Sequence, residues 1–167
     1  MKLKKDLCME NIELINFIKL TLQEKKMILN WRNCPEIRKW MYNENEISLE
    51  DHLNFIEHLK TINNKLYFLV KKEDDYIGVI DFTNINNENL EMGIYTNPNL
   101  FGYGKILLKQ LINYAFNILK VKKIYAEVFA ENQKAYNLYK RLYFEDEFEK
   151  IVNGKKVIRM ELKNENR

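Results

Sequence analysis

The spacing of apolar and polar positions changes several times along the chain, and each change predicts an element. Ile12 to Leu20 is apolar with partial alternation and predicts a first strand. Thr21-Leu22-Gln23-Glu24 has the spacing of a capping box, which predicts a helix running through Trp31 and Arg32. Pro35 predicts the start of a second, short helix over Glu36 to Met41. Ser48 to Asp51 caps a third, with Leu49, Leu53, Ile56 and Leu59 as its apolar stripe. Residues 66–71, 76–85 and 90–96 read as strands of an antiparallel meander, joined by turns at Glu73–Asp75 and Asn86–Asn89. From Lys105 the period becomes helical, with Leu108, Leu111, Ile112, Ala115, Phe116 and Leu119 on one face. A strand from Lys123 to Phe129, a helix from Asn132 to Leu142 and two strands around an Asn153-Gly154 type I′ turn complete the pattern. The order β-α-α-α-β-β-β-α-β-α-β-β predicts a mixed α/β fold in one domain over residues 1–167, without internal repeat or linker.

Composition narrows the classes. Apolar residues make up 46% of the chain, which excludes a disordered protein, and no stretch approaches a membrane-spanning run. The charged N-terminus, Met1 to Asp6, lacks the apolar core of a signal peptide behind it. With 27 basic and 24 acidic residues the net charge is only +3 and is spread out, so nucleic acid is not implied. Cys8 and Cys34 are too few for a disulfide framework, and reduced thiols in a cytoplasmic protein are expected. Neither has a partnered base that would make it an acyl-accepting nucleophile. His52 and His58 are about 240° apart around a helix and cannot share a metal, so no metal site is expected.

The stretch Asn89 to Lys109 carries the strongest chemical signal: an apolar strand, a loop with glycines at 102 and 104, then a helix. Such a turn leaves backbone N–H groups without intrahelical partners, and the helix dipole adds to them. Together they suit a phosphate or pyrophosphate. Gly102 and Gly104, lacking Cβ atoms, are expected to allow positive φ and close approach of the anion. Leu107 stands where a dinucleotide fingerprint needs a third glycine, and no P-loop run exists in the chain. Gly78 and Gly93 fall inside strand patterns, where glycine marks a bulge or a close backbone approach.

Asn99-Leu100-Phe101-Gly102-Tyr103-Gly104 resembles the acyl-CoA pyrophosphate loop of the GNAT family of N-acetyltransferases, with Asn99 where glutamine or arginine is usual. Asn132, Ala135, Tyr139 and Phe144 match that family's second motif, with Tyr143 in place of a glycine. The resemblance implies a central mixed sheet of about seven strands, flanked by helices and splayed at an acetyl-CoA site. It implies that Ile94, Tyr95, Thr96, Leu100, Phe101, Gly102, Tyr103, Gly104, Lys105 and Asn132 hold acetyl-CoA. A free backbone N–H in a bulge at Gly93–Tyr95 would polarise the thioester carbonyl.

Trp31 to Met41 and Ile47 to Ile56 are similar to the branch of the family that includes ribosomal-protein N-terminal acetyltransferases. With Tyr67 to Val70 and Tyr76 to Ile80 they are more similar still to the members that acetylate nucleotide sugars in bacterial pseudaminic acid synthesis. That similarity implies transfer to the 4-amino group of a UDP-linked 4-amino-4,6-dideoxy-altrosamine derivative, for flagellin glycosylation. Arg32, His52, Thr83 and Tyr95 would line the acceptor site, in a monomer or homodimer. Arg32 also suits a diphosphate because its guanidinium is a bidentate, permanently charged fork, though a surface ion pair fits the same residue. An N-terminal protein acetyltransferase and a non-catalytic acyl-CoA-binding module are the alternatives.

Direct attack by the amine needs no protein nucleophile. Tyr139 is the candidate acid for the departing thiolate, although it also falls on the apolar stripe of Ala135, Leu138 and Leu142 as a core tyrosine would. Glu127 is the candidate base, working through a water. Alternation puts it on a face with Tyr125 and Phe129, and aromatic neighbours are expected to raise its pKa. Asp81 and Glu91 compete for that role, and a structural ion pair at Glu127 is the other reading.

Overall fold

The computed structural model describes residues 11–166, so Cys8 and the charged N-terminus lie outside the described residues. The first strand, β1, covers only Ile12–Asn16. Its end is set by Asn16, whose side chain accepts the Ile18 N–H at 3.1 Å and starts a 3-10 turn over Phe17–Lys19 instead. Helix α1, Leu22–Asn33, begins at the expected capping box, with Thr21 and Glu24 satisfying each other's backbone N–H. Helix α2 is a single turn, Pro35–Arg38.

Helix α3, Leu49–His58, starts at the Ser48 cap, and Ile56 and Leu59 of the expected stripe are buried, but the stripe departs from expectation at its start. Leu49 is exposed and His52 is buried beside Ile56. The imidazole can take a core-facing position because its Nε2 reaches the Lys25 carbonyl at 2.9 Å.

Strands β2 (Leu66–Lys72), β3 (Asp75–Thr83) and β4 (Asn89–Thr96) form the antiparallel meander. Helix α4 covers Gly104–Asn113 and widens into a π turn over Tyr114–Ile118. Strand β5 (Lys123–Phe129) precedes α5 (Gln133–Arg141), and β6 (Glu145–Val152) and β7 (Lys155–Lys163) form the closing hairpin. Asn153 and Gly154 both have positive φ, as a type I′ turn requires. The seven strands make one sheet in the order β1-β2-β3-β4-β5-β7-β6. Among the described residues, only β4 and β5 are parallel neighbours.

Each face of the sheet buries its own apolar layer. One packs Ile80, Phe82, Leu90 and Ile124 against Leu107, Leu108 and Leu111 of α4 and Tyr139 of α5. The other packs Leu69 and Val79 against Ile28 and Trp31 of α1 and Ile56 of α3. No described helix is long and apolar enough to cross a membrane.

The two strand glycines differ in purpose. Gly78 lies beside a register shift at Val70/Lys71, and a Cβ there would come within 2.6 Å of Leu107 and of the Tyr95 carbonyl. At Gly93 the expected bulge is absent: β3 and β4 stay in register from Gly78↔Thr96 to Thr83↔Glu91. Glycine leaves room there for the Asp81 carboxylate, which an added Cβ would overlap. Gly93→Ala is therefore expected to cost about 1–3 kcal/mol through overpacking, and adding Asp81→Ala should recover most of it. A urea-denaturation cycle over the two single variants and the double variant measures this; additive losses would contradict the contact.

Candidate active site

Pairing between β4 and β5 covers only Asn89↔Lys123, Leu90↔Ile124 and Glu91↔Tyr125. Beyond Glu91 the strands separate, and Met92 to Thr96 pair with β3 alone. The sheet is splayed as the sequence resemblance implied, but by parting of two strands rather than by a bulge.

Beside this gap the chain turns into α4. Leu100 and Leu107 donate their N–H groups to Asn97 and Tyr103, and Asn99 donates to the Asn97 side chain. Among the described residues, the N–H groups of Gly102 to Ile106 donate to no protein acceptor. The Tyr103 side chain gives α4 no cap either. Several donors and the positive end of a ten-residue helix thus converge at one loop, which is a cradle for a polyanion.

Gly102 has φ +84° with nothing within 4 Å of an ideal Cβ. Gly104 departs from its expected role. It has ordinary helical backbone as the first residue of α4, and its missing Cβ makes room for Leu138, 3.3 Å away. Phe101 is 86% exposed at the rim, and Lys105 is exposed in the first helical turn. Asn132 caps α5, accepting the Ala135 N–H at 3.3 Å. Tyr143 takes φ +73°, so the backbone keeps a left-handed shape that favours glycine although the residue is tyrosine.

Strand register places a row of side chains on one face across the gap. Tyr67, Asp81 and Gly93 are neighbours on β2, β3 and β4, and Glu127 and Arg159 are neighbours on β5 and β7. Tyr95 and Thr83 are two positions from Gly93 and Asp81 on their strands and share that face. Tyr139 reaches the same region from α5. Its ring packs on Phe144 at 5.7 Å and is only 6% exposed. Its hydroxyl has no hydrogen-bond partner among the described residues, and no described polar atom is shut off from water without one, so the oxygen opens on space. Burial, and then the Asp81 charge, pushes that hydroxyl's pKa well above its ordinary value. Packed ring and open hydroxyl coexist in one residue.

The two carboxylates of this row have opposite environments. The expected upward pKa shift at Glu127 is corrected by the structure. Burial does push it up, but hydrogen bonds from Lys150, Tyr42 and Arg159 outweigh burial and hold it below its usual value. Lys150 Nζ and Arg159 Nη1 each lie 2.8 Å from its Oε2, and the Tyr42 hydroxyl donates to its Oε1. Flanking aromatics alone could not set the shift once two cations were in contact. Glu91 also pairs with Arg159, at 3.8 Å. Asp81 is only half-buried by area but is surrounded by protein, as at the floor of a cleft, and burial pushes its carboxyl up to about 7 against the pull of Lys65.

Two residues expected to line an acceptor site make internal contacts. Arg32 is buried, and its guanidinium donates to the carbonyls of Asn43 at 2.6 Å and Asn45 at 3.5 Å. It holds down the segment between α2 and α3. His52 is buried against the Lys25 carbonyl, and burial lowers its pKa, so it is a neutral structural residue. Cys34 donates to Glu36 at 3.0 Å, which raises its thiol pKa and leaves it unactivated. No group of three metal-ligating side chains occurs among the described residues.

Sequence reading missed the segment around Tyr42. The ring of Tyr42 packs edge-on to Phe129 at 5.5 Å, Trp40 packs on Phe129 at 6.4 Å, and Asn153 donates to the Tyr42 carbonyl at 2.8 Å. This segment has no periodicity, and its contacts span 85 residues to Glu127 and 111 to Asn153, so nothing local could signal them. Arg159 was legible only as an alternating position on a strand, and its stack on Tyr125, at 4.2 Å, needs the β5–β7 register.

Comparison with known proteins gives this geometry relatives. The model of the acetyltransferase (GNAT) domain matches residues 15–145. Acetyltransferase PseH of Campylobacter jejuni subsp. jejuni serotype O:2 is 45% identical over 133 residues, covering 80% of this chain and 84% of that one. The crystal structure of Campylobacter jejuni N-acetyltransferase PseH in complex with acetyl coenzyme A superposes with TM-score 0.77 at 38% identity, covering 92% of this chain and 99% of that chain. Spermidine N-acetyltransferase from Vibrio cholerae in complex with CoA and spermine gives TM-score 0.83 at 25% identity, over 93% and 97% of the two chains.

Two variants test the site's parts. Gly102→Val forces a β-branched residue into positive φ and should weaken acetyl-CoA binding about tenfold, the equivalent of 1–2 kcal/mol of left-handed backbone strain. Wild-type affinity in a calorimetric titration would contradict the cradle. Arg32→Ala should lower the melting temperature by roughly 3–12 °C, because it removes hydrogen bonds from a charged donor. An unchanged melting curve with a raised acceptor KM would return Arg32 to ligand binding.

Proposed function

This chain belongs to the GNAT acetyltransferase family, and from that premise we propose that it acetylates the 4-amino group of a UDP-linked 4-amino-4,6-dideoxy sugar. It is an acetyl-CoA-dependent acetyltransferase related to PseH. The proposed acceptor is UDP-4-amino-4,6-dideoxy-N-acetyl-altrosamine, in the cytoplasmic synthesis of pseudaminic acid for flagellin glycosylation. A monomer or homodimer suffices, because one chain supplies every residue named.

The observation that carries acyl transfer is the adjacency of the N–H cradle to the β4–β5 gap. A thioester is already activated, so when bound acetyl-CoA supplies a good electrophile and a good leaving group. The protein supplies position, which is worth up to roughly 7–11 kcal/mol. Gly102 to Ile106 would hold the diphosphate, with Leu100, Phe101 and Asn132 shaping the loop and its neighbouring helix. The edge of β4 left by β5, including Ile94, Tyr95 and Thr96, would orient and polarise the acyl group. Tyr139, kept protonated by burial, would give its proton to the departing sulfur.

For the acceptor, the supporting observation is the neutralised wall beyond the gap. Glu127 is tied to Arg159 and Lys150 rather than left as an open acidic site for a polycation. The rings of Trp40 and Tyr42, packed on the buried Phe129, and of Tyr125 offer an aromatic surface for a nucleotide base. With Arg32 and His52 occupied internally, Thr83 and Tyr95 remain as proposed acceptor contacts. The Tyr42 segment across the gap also disfavours an extended peptide, the substrate of an N-terminal acetyltransferase.

A thiol-release screen of acetyl-CoA against UDP-4-amino sugars, spermidine and N-terminal peptides tests the reading. The UDP-4-amino sugar should give the highest kcat/KM; preference for spermidine or a peptide would overturn the acceptor assignment. With the best acceptor, Tyr139→Phe should lower kcat by about 10²–10⁴. Binding of both substrates and the melting temperature should stay close to wild type. Turnover close to wild type with a lowered melting temperature would reduce Tyr139 to packing.

A further inference from the structure

The fold leaves one carboxylate of the reactive face without a partner. Asp81 makes no hydrogen bond and no ion pair among the described residues, whereas Glu127 on the same face contacts Tyr42, Lys150 and Arg159. Its position is nonetheless built for it. A Cβ at position 93 would overlap the carboxylate as it is placed, and Gly93 stands just past the last β4–β5 pair. A half-buried carboxylate without a partner contributes nothing to holding the strands together.

Resting on the acetyl-transfer reading, we infer that Asp81 accepts the proton released by the attacking amine and is thus a second catalytic residue beside Tyr139. The groups that face it support this assignment. Tyr67 approaches from β2, Tyr95 from β4 and Tyr139 from α5, with Lys65 before β2 and Arg32 behind Tyr95. Burial first and the Asp81 charge second push all three hydroxyls well above their ordinary value, so they stay neutral. Asp81 is then the group of this cluster that changes charge near neutrality, where a proton acceptor works best.

The proton balance closes within the cluster. As the N–C bond forms and the C–S bond breaks, the amine nitrogen loses one proton to Asp81 and the sulfur gains one from the Tyr139 hydroxyl. Water between them carries the Asp81 proton to the Tyr139 phenolate, and both groups return to their starting states. The net change is thioester plus amine to amide plus thiol.

The test uses Asp81→Asn, which keeps the shape above Gly93, with Glu127→Gln as its counterpart. With whichever amine the wild type acetylates fastest, Asp81→Asn should lower kcat by about 10²–10⁴ while acetyl-CoA affinity stays within about twofold. The wild-type kcat/KM should fall on the acid side of about pH 7, and that limb should be missing in Asp81→Asn. A limb retained in Asp81→Asn and lost in Glu127→Gln would overturn the inference in favour of Glu127.

Melting curves give a readout independent of turnover. A carboxyl whose folded pKa is raised from 3.8 to about 7 is ionised at a cost to the fold. Wild type should therefore lose stability relative to Asp81→Asn as pH rises through that window. A difference that stays constant with pH would overturn the inference. If a UDP-amino sugar is not the preferred acceptor, the acceptor reading fails, while these comparisons still decide the role of Asp81.

Discussion

The reactive face depends on β4 and β5 ceasing to pair after Glu91 and Tyr125. Unpaired backbone groups at a sheet's interior cost roughly 1–3 kcal/mol each when buried, so strands rarely part unless the opening is put to use. Here the opening leaves one edge of β4 free between two built walls. On one side Asp81 fills the space that a side chain at 93 would need, and on the other Glu127 is fixed by Arg159 and Lys150. The loop that follows β4 turns its N–H groups toward the same end of the sheet and starts α4, whose Leu107, Leu108 and Leu111 are buried in the core. Separation of strands, anion cradle and helix docking are consequences of one local topology.

Two carboxylates on this face illustrate how environment, rather than residue type, sets proton affinity. Glu127 touches two cations and a phenol and is held ionised. Asp81 has only the more distant pull of Lys65 against its burial, which pushes its carboxyl up to about 7. Their separation in proton affinity is the condition under which one group can exchange protons while the other keeps a fixed charge. Tyr42 links this chemistry to the segment pinned by Arg32, so a residue buried at the end of α1 governs the wall of the gap.

Much of this was legible in the chain. Capping at Thr21 and Ser48, the meander, the Asn153-Gly154 turn and the glycine loop before α4 are local signals, and local hydrogen bonds realise them. Tyr139 was legible as a packed ring because helical spacing shows the stripe, and its proposed role as an acid comes from the motif around it. What was not legible has long-range causes. Arg32 looks like a free cation until its carbonyl acceptors eleven and thirteen residues later are seen. Glu127 looks like a carboxylate among aromatics until the β5–β7 register brings Arg159 beside it. Gly93 signalled a close approach or a bulge, and only the identity of its cross-strand neighbour decides between them.

Amide hydrogen exchange with and without acetyl-CoA tests the central claim most directly, because it reads the cradle and the strand edge in one experiment. Binding should slow exchange at Gly102 to Ile106, and on the freed edge of β4 within Met92 to Thr96, while the distant β6–β7 hairpin stays unchanged. Slowing confined to other segments, or none at the loop, would contradict the claim that the parted strands and the loop beside them form one acyl-CoA site.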